Sequence, residues 1–167
     1  MSLYRVLVTG SRTWYRDTRS VGGLTVDDAL DVACFTAAGH GVPGLLLVHG
    51  ACPKGADAVA DGWARDRARR GWPVAEPERY PADWGRGKRA GFDRNDHMVS
   101  LGADRCFAFV DLCRKPECRR TDVHGSHGAV HCATAARKAG IPVTWFATSS
   151  ALLAPTGVDT PSPTTAA

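Results

Sequence analysis

Short apolar runs alternate with longer stretches in which apolar residues recur at helical spacing. Tyr4 to Val8 is such a run, closed by Thr9-Gly10, and reads as a buried strand feeding a turn. Residues 11–24, "SRTWYRDTRSVGGL", show no clean period and read as a loop. Thr25 then opens a helix, with Asp28 three residues on in a capping-box arrangement and Val26, Ala29, Leu30, Ala33 and Ala37 as its apolar stripe. That helix stops near Gly39-His40-Gly41. The spacing predicts a second strand over 45–48, a helix over 55–70 ended by Gly71, and a weaker strand over 74–80 interrupted by Pro77. A helix over 92–101, a strand over 106–110, an irregular loop over 111–125, a helix over 128–139 and a strand over 141–146 follow.

Strands that alternate with helices and are apolar almost throughout belong in a parallel sheet covered on both faces. The fold class is therefore α/β: a Rossmann-like three-layer sandwich with a mainly parallel five-stranded sheet. Residues 1–147 form its one domain. From Thr148 the sequence "TSSALLAPTGVDTPSPTTAA" turns small, polar and proline-rich, and 148–167 is expected to be a disordered tail. Ligands of such sheets bind at the carboxyl ends of the strands, where strand order reverses. Three glycine-bearing turns follow strands and should meet at that edge.

Composition narrows the function only mildly. Of 167 residues 44% are hydrophobic and 23% charged, which is ordinary for a globular protein. No apolar run approaches the roughly 18 residues that span a bilayer, and the first residues lack the pattern of a signal peptide. A cytoplasmic protein without membrane contact is expected. The net charge of +4 allows an anionic ligand without demanding nucleic acid. Clusters at Arg65, Arg67, Arg69 and Arg70, at Arg86, Lys88 and Arg89, and at Arg114, Lys115, Arg119 and Arg120 read first as solvated faces. Six cysteines in a cytoplasmic chain do not make a disulfide framework, and Cys34 and Cys106 read as small core residues.

The first turn, "TGSR", offers Gly10 for close backbone approach, the Ser11 hydroxyl, and Arg12 for a phosphate. An ordinary strand-end turn is the rival. The second, "HGACPKGAD", supplies Gly50, Lys54, Gly55, Ala56 and Asp57 at a helix start. It lacks the terminal Gly-Lys-Ser/Thr of a Walker A loop, so a magnesium-phosphate site of that type is not indicated. Asp57 either favours the helix dipole or accepts hydrogen bonds from a ribose or another loop. The third, "GSHGAVHCA", brings Gly125, Ser126, His127 and Gly128 to another helix start. In "RNDHM", Arg94 is a candidate for the phosphate and Asn95 for a ribose or base edge, against a surface arginine and a cap residue.

The loop "DLCRKPECRRTDVHGSHGAVHC" concentrates thiols and imidazoles. Zinc takes four such ligands. Cys113, Cys118, His124 and either His127 or His131 form the candidate set for a structural zinc, with His127 in the preferred one. The alternative is that the histidines line the ligand pocket and the cysteines are free. No cofactor is required for function.

Together "RVLVTGSRTW", "LVHGACPKGADAVADGWA", "PADWGRGKRAGFDRNDHMV", "GADRCFAF" and "AGIPV" resemble the SLOG superfamily, and within it the small YspA-like, YpsA-related proteins of bacteria and their phages. The resemblance covers about residues 4–147 and implies a Rossmann-like domain for nucleotides or nucleotide-derived ligands. It places Gly10, Ser11 and Arg12 in the first-strand motif and Gly50, Gly55, Ala56 and Asp57 in the second. Arg94 and Asn95 fall in the third, and Gly125 to Gly128 in the second phosphate-binding turn.

Superfamily members include LOG-type phosphoribohydrolases, sensors of nucleotide signals, and the single-stranded-DNA-binding branch of DNA-processing protein A. The LOG enzymes carry Pro-Gly-Gly-x-Gly-Thr-x-x-Glu with a catalytic glutamate. Aligned on "HGSHGAVHC", His124 stands for Pro, Ser126 for the second Gly, Ala129 for Thr and Cys132 for Glu. A thiol does not simply replace that carboxylate, which leaves Asp57, Asp93 or His131 for a different geometry.

The first functional expectation is thus a sensor or sequestering protein for a nucleotide-derived, ADP-ribose-like ligand. The second is a nucleotide N-glycosidase with catalytic residues unknown, and the third is single-stranded DNA binding, for which Trp14, Tyr15, Trp84 and Phe92 would stack bases. Homo-oligomerisation is left open.

Overall fold

The computed structural model describes residues 2–153. Five strands, β1 (Tyr4–Gly10), β2 (Leu45–His49), β3 (Glu78–Arg79), β4 (Arg105–Val110) and β5 (Val143–Ala147), form one all-parallel sheet in the order β3-β2-β1-β4-β5. Four helices cover it: α1 (Val26–Gly39), α2 (Ala56–Arg69), α3 (Ala90–Ser100) and α4 (His127–Lys138). This is the expected Rossmann-like α/β sandwich.

The apolar runs are explained by burial on both faces. Val6 and Val8 of β1, with Phe107 and Phe109 of β4, pack in one core with Val26, Leu30, Ala60 and Trp63 from α1 and α2. Leu7 and Cys106, one residue out of phase, enter a second core with Met98, Val99, Cys132 and Ala136 from α3 and α4. The period of two along each strand thus assigns its side chains to opposite layers.

Local chemistry sets several boundaries. Thr25 Oγ1 accepts from the Asp28 N–H at 3.1 Å, and the Thr25 N–H donates to Asp28 Oδ2 at 2.9 Å, completing the capping box that starts α1. The expected third strand contracts to two residues at the sheet edge, with Val74 bridging Leu45 in isolation. Pro77 removes a backbone donor in the middle of that stretch. The helix expected over 92–101 begins earlier, at Ala90, and the last strand starts at Val143 because Pro142 follows Ile141.

The loop over 11–24 holds a core residue that its pattern does not announce: Trp14 is fully buried, with its ring centroid 5.4 Å from that of Phe109. The tail boundary at 148 also moves. Thr148 donates to Asp111, Ser150–Leu152 form a 3₁₀ turn, and Leu152 is buried with its carbonyl accepting from Trp145 Nε1 at 2.9 Å. The rest of the expected tail, 154–167, lies outside the described residues. Among those described, no helix is long and apolar enough to cross a membrane.

Candidate functional site

Strand order reverses between β1 and β4, so the crevice beyond their carboxyl ends is the natural ligand position. β1 delivers Gly10, Ser11 and Arg12 there, β4 delivers Asp111, and α4 begins beside them at Ser126. The N-terminus of α2 is pressed against the same strand end. Gly55, with φ of 71°, precedes the helix, and the Ala56 N–H donates to the Ser11 carbonyl at 3.3 Å. A Cβ on Gly10 would stand 2.3 Å from Ala56 Cβ. Gly10 therefore serves the close approach of α2 to β1 before it serves any ligand.

The buried Ser11 hydroxyl accepts from the Asp111 N–H at 2.8 Å and shares a 2.6 Å hydrogen bond with Ser126 Oγ. This has a consequence for α4. Ser126 is its N-cap residue, yet its side chain caps nothing in the helix. Gly55 leaves α2 likewise without a side-chain cap. Two helix starts with first-turn N–H groups that side chains do not satisfy thus flank Ser11. Gly128 lies in the first turn of α4, and a Cβ there would meet nothing within 4 Å.

Around this point the structure builds a polar frame that local sequence spacing does not show. Asp111 is buried and accepts from Thr13 Oγ1 at 2.6 Å, Thr148 Oγ1 at 2.7 Å and its neighbour Leu112 N–H at 2.8 Å. Burial alone would raise its pKa; those hydrogen bonds outweigh it and hold the carboxyl below its ordinary value. Asp111, Thr13 and Thr148 are not among the expected site residues, and the distance along the chain from Thr13 to the other two explains why.

Asp57 turns inward and accepts the Cys52 N–H at 3.2 Å, so it staples its own loop, and burial pushes its pKa up. His49, also buried, accepts the Ala51 N–H on Nδ1 at 3.2 Å. That fixes the Nε2–H tautomer, which meets Asp61 at 3.1 Å, and burial lowers the imidazole pKa.

Arg94 and Asn95 do come to the edge, but both are engaged within the protein. Arg94 Nη1 donates to the carbonyls of Gly50 and, at 2.9 Å, of Tyr80, while its Nε donates to Asn95 Oδ1 at 2.9 Å. Asn95 Nδ2 in turn donates to the Gly128 carbonyl at 3.1 Å. The pair bolts the loop after β2, the end of β3 and the start of α4 together. A Cβ on Gly50 would overlap the Arg94 guanidinium, so that glycine makes room for an arginine.

Arg12, by contrast, is exposed, and its guanidinium carbon lies 5.9 Å from the centroid of the Trp84 ring, itself 58% exposed. On the other flank Lys54 and Gly55 line a cavity of about 370 Å³ with Tyr15, Arg16 and Pro53.

The remaining candidates separate clearly. Cys132 is fully buried in the second core, and burial pushes its thiol pKa up to about 12. His131 Nε2 lies 2.8 Å from Asp96 Oδ1, in a contact between α4 and α3. Cys113, Cys118, His124 and His127 converge, each offering one ligand atom within 4.8 Å of all the others. Gly125 is packed tightly, since a Cβ there would stand 2.4 Å from Val110 Cγ1.

Known proteins share this chain's sequence pattern. Residues 4–87 match the model of the family described as YspA, cpYpsA-related SLOG family. The chain is 40% identical over 144 residues to the Gene 61 protein of Mycobacterium phage D29, an alignment spanning 85% of this chain and 95% of that one. No solved structure matches the chain.

Proposed function

The chain belongs to the YspA, cpYpsA-related SLOG family, and we propose that it binds a nucleotide or nucleotide-derived, ADP-ribose-like ligand at the crevice between β1 and β4. The observation that carries this reading is the pair of helix starts, α2 and α4, left without side-chain caps on either side of Ser11. Backbone N–H groups at a helix start favour an anion, and two together suit a phosphate or diphosphate. Gly128 leaves open space over the first turn of α4 for the phosphate to approach. Exposed Arg12 adds a cation, and the Trp84 ring beside it offers a face on which a base can stack.

Hydrolysis of the base–ribose bond is the second reading, and one observation weighs against it. The position of the LOG glutamate holds a buried thiol that stays protonated at neutral pH, so it supplies no carboxylate to the reaction. Single-stranded DNA binding through α2 is not supported either. Arg65 pairs with Asp61 at 3.0 Å, Arg67 with Asp31 at 2.8 Å, and Arg70 with Asp66 at 3.0 Å.

A panel of nucleotides, NAD derivatives and ADP-ribose-type compounds tests the proposal through thermal stability and mass spectrometry of the mixture. A stabilising compound recovered intact supports a sensor or sequestering protein. Release of base or ribose phosphate makes the protein an N-glycosidase. Failure of every compound to stabilise the chain removes the reading.

The two arginines should then behave differently. Arg12→Ala should weaken binding of the stabilising compound about 10-fold, the equivalent of roughly 1.4 kcal/mol, with the melting temperature of the free protein unchanged. Arg94→Ala should instead destabilise the free protein by about 1.5–3 kcal/mol, since it leaves the Gly50 and Tyr80 carbonyls without their charged donor. Calorimetry of both variants, with and without ligand, checks the contrast.

A further inference from the structure

We propose that Cys113, Cys118, His124 and His127 hold a zinc ion that fastens the loop after β4 to the start of α4. Within this group Cys118 Sγ lies 3.3 Å from His124 Nε2 and 3.4 Å from His127 Nε2, and the two Nε2 atoms are 3.1 Å apart. Three ligand atoms in a closed triangle, with Cys113 Sγ completing the group, are poorly served by hydrogen bonds among themselves. Each proton can lie along only one edge. A cation at the centre satisfies all four together. Tetrahedral zinc with bonds of about 2.0–2.1 Å to nitrogen and about 2.3 Å to sulfur sets its ligands roughly 3.3–3.8 Å apart, a separation the Cys118, His124 and His127 atoms reach with shifts of a few tenths of an ångström and that the whole group, within 4.8 Å, brackets.

The surroundings of His124 point the same way. Its Nδ1 lies 2.7 Å from the Asp122 carbonyl, which can only accept, so the proton is on Nδ1. The Nε2 lone pair then faces the cluster. A backbone carbonyl that fixes the tautomer and orientation of a histidine is the usual outer partner of a metal-bound imidazole. Two thiolates with two imidazoles select zinc over hard cations, and four protein ligands leave no open position, which marks a structural site. Binding releases both thiol protons to solvent.

The position explains what the ion would do. The loop joining β4 to α4 contains no helix or strand, and its ends meet through the Leu112–Gly125 bridge and the 2.9 Å bond from the Cys113 N–H to the His124 carbonyl. Three ligands lie on the loop, and His127 is the first residue of α4, next to Ser126. Its side chain serves the metal while its backbone N–H stays among the donors that a helix start leaves without intrahelical partners. The ion therefore anchors the α4 start on which a ligand phosphate would rest, yet its binding does not depend on any nucleotide being bound.

Metal analysis of the full chain, expressed without a histidine tag and purified without chelator, tests this. About one zinc per chain should survive dialysis. Cobalt(II) added to the metal-free chain should give the intense visible bands of a tetrahedral thiolate site. His127→Ala and Cys118→Ser should each retain less than about a tenth of the parent's zinc, whereas His131→Ala, whose imidazole faces Asp96, should retain all of it. Wild-type protein dialysed against micromolar zinc that keeps none, or a cobalt spectrum of octahedral type, would overturn the proposal. So would loss of zinc from His131→Ala with retention in His127→Ala. The wild-type measurements stand even where a variant fails to fold.

Discussion

Gly55→Ala should unfold readily, losing about 3–5 kcal/mol of stability, while Gly128→Ala should keep or gain stability and still weaken ligand binding. Both glycines sit at the start of a helix, and the sequence presents them as equivalent. Gly55 has φ of 71° and ψ of −151°, a combination that side chains rarely adopt. A Cβ there would lie 2.1 Å from the Ser11 carbonyl oxygen and 2.5 Å from Arg12 Cα. Both neighbours are backbone and cannot swing aside, so α2 would have to withdraw from β1. The Ala56-to-Ser11 hydrogen bond would go with it.

Gly128 is helical, and its Cβ would meet nothing within 4 Å. Alanine there improves helix propensity by up to about 1 kcal/mol but puts a methyl group where the proposed phosphate approaches. Urea denaturation of both variants measures the first effect, and a thermal shift with the stabilising nucleotide measures the second. A Gly55→Ala protein within about 1 kcal/mol of the parent would contradict the clamped geometry at Ser11.

The same two residues show what a sequence can and cannot reveal. Glycine near a strand end or a helix start signals a close approach or a turn, and a close approach is found at Gly10, Gly50 and Gly55. Its cause is not legible in the chain. Gly10 makes room for Ala56, Gly50 for the Arg94 guanidinium and Gly55 for the Ser11 carbonyl, all partners that only the folded chain supplies. The sheet is readable because burial on both faces leaves strands such as "VLV" and "CFAFV" apolar throughout.

The edge strand is shorter than its pattern because Pro77 interrupts the run: Val74 makes only an isolated bridge to Leu45, and the continuous ladder is left to Glu78 and Arg79. The frame of Asp111, Thr13 and Thr148 has no local signature at all. Arg94 stands where the pattern places it, and its guanidinium serves the carbonyls of Gly50 and Tyr80, a bracing role that the sequence does not announce. The Cys/His group is the opposite case. Its irregular spacing says little, yet the loop folds those four residues onto one point.

Cys132→Glu, which restores the residue type of the LOG enzymes, should cripple the fold and confer no hydrolase activity. The thiol is fully buried in the core formed by Leu7, Met98, Cys106, Ala136 and Ile141. A glutamate there is larger than the cysteine, and overpacking alone costs about 1–3 kcal/mol. Its carboxylate would also have to shed water. Deep burial raises a glutamate pKa by up to about 3–5 units above an ordinary value near 4.3.

The folded variant would thus hold a proton that the unfolded chain gives up. For a group raised in the folded state, that contribution is present below the unfolded pKa and is lost as pH rises towards the folded one. The deficit relative to the parent should therefore grow between about pH 5 and pH 8, by roughly 1.4 kcal/mol per unit until the buried carboxyl ionises. Denaturant titrations of parent and variant across that range measure it, and mass spectrometry of nucleotide mixtures tests for turnover. A variant as stable as the parent that releases free base would place residue 132 in the crevice rather than in the core, and would make this chain a LOG-type hydrolase lacking one carboxylate. A deficit that deepens with pH, with nucleotide returned intact, means that α4 keeps this side chain for the core and offers no carboxylate at the crevice.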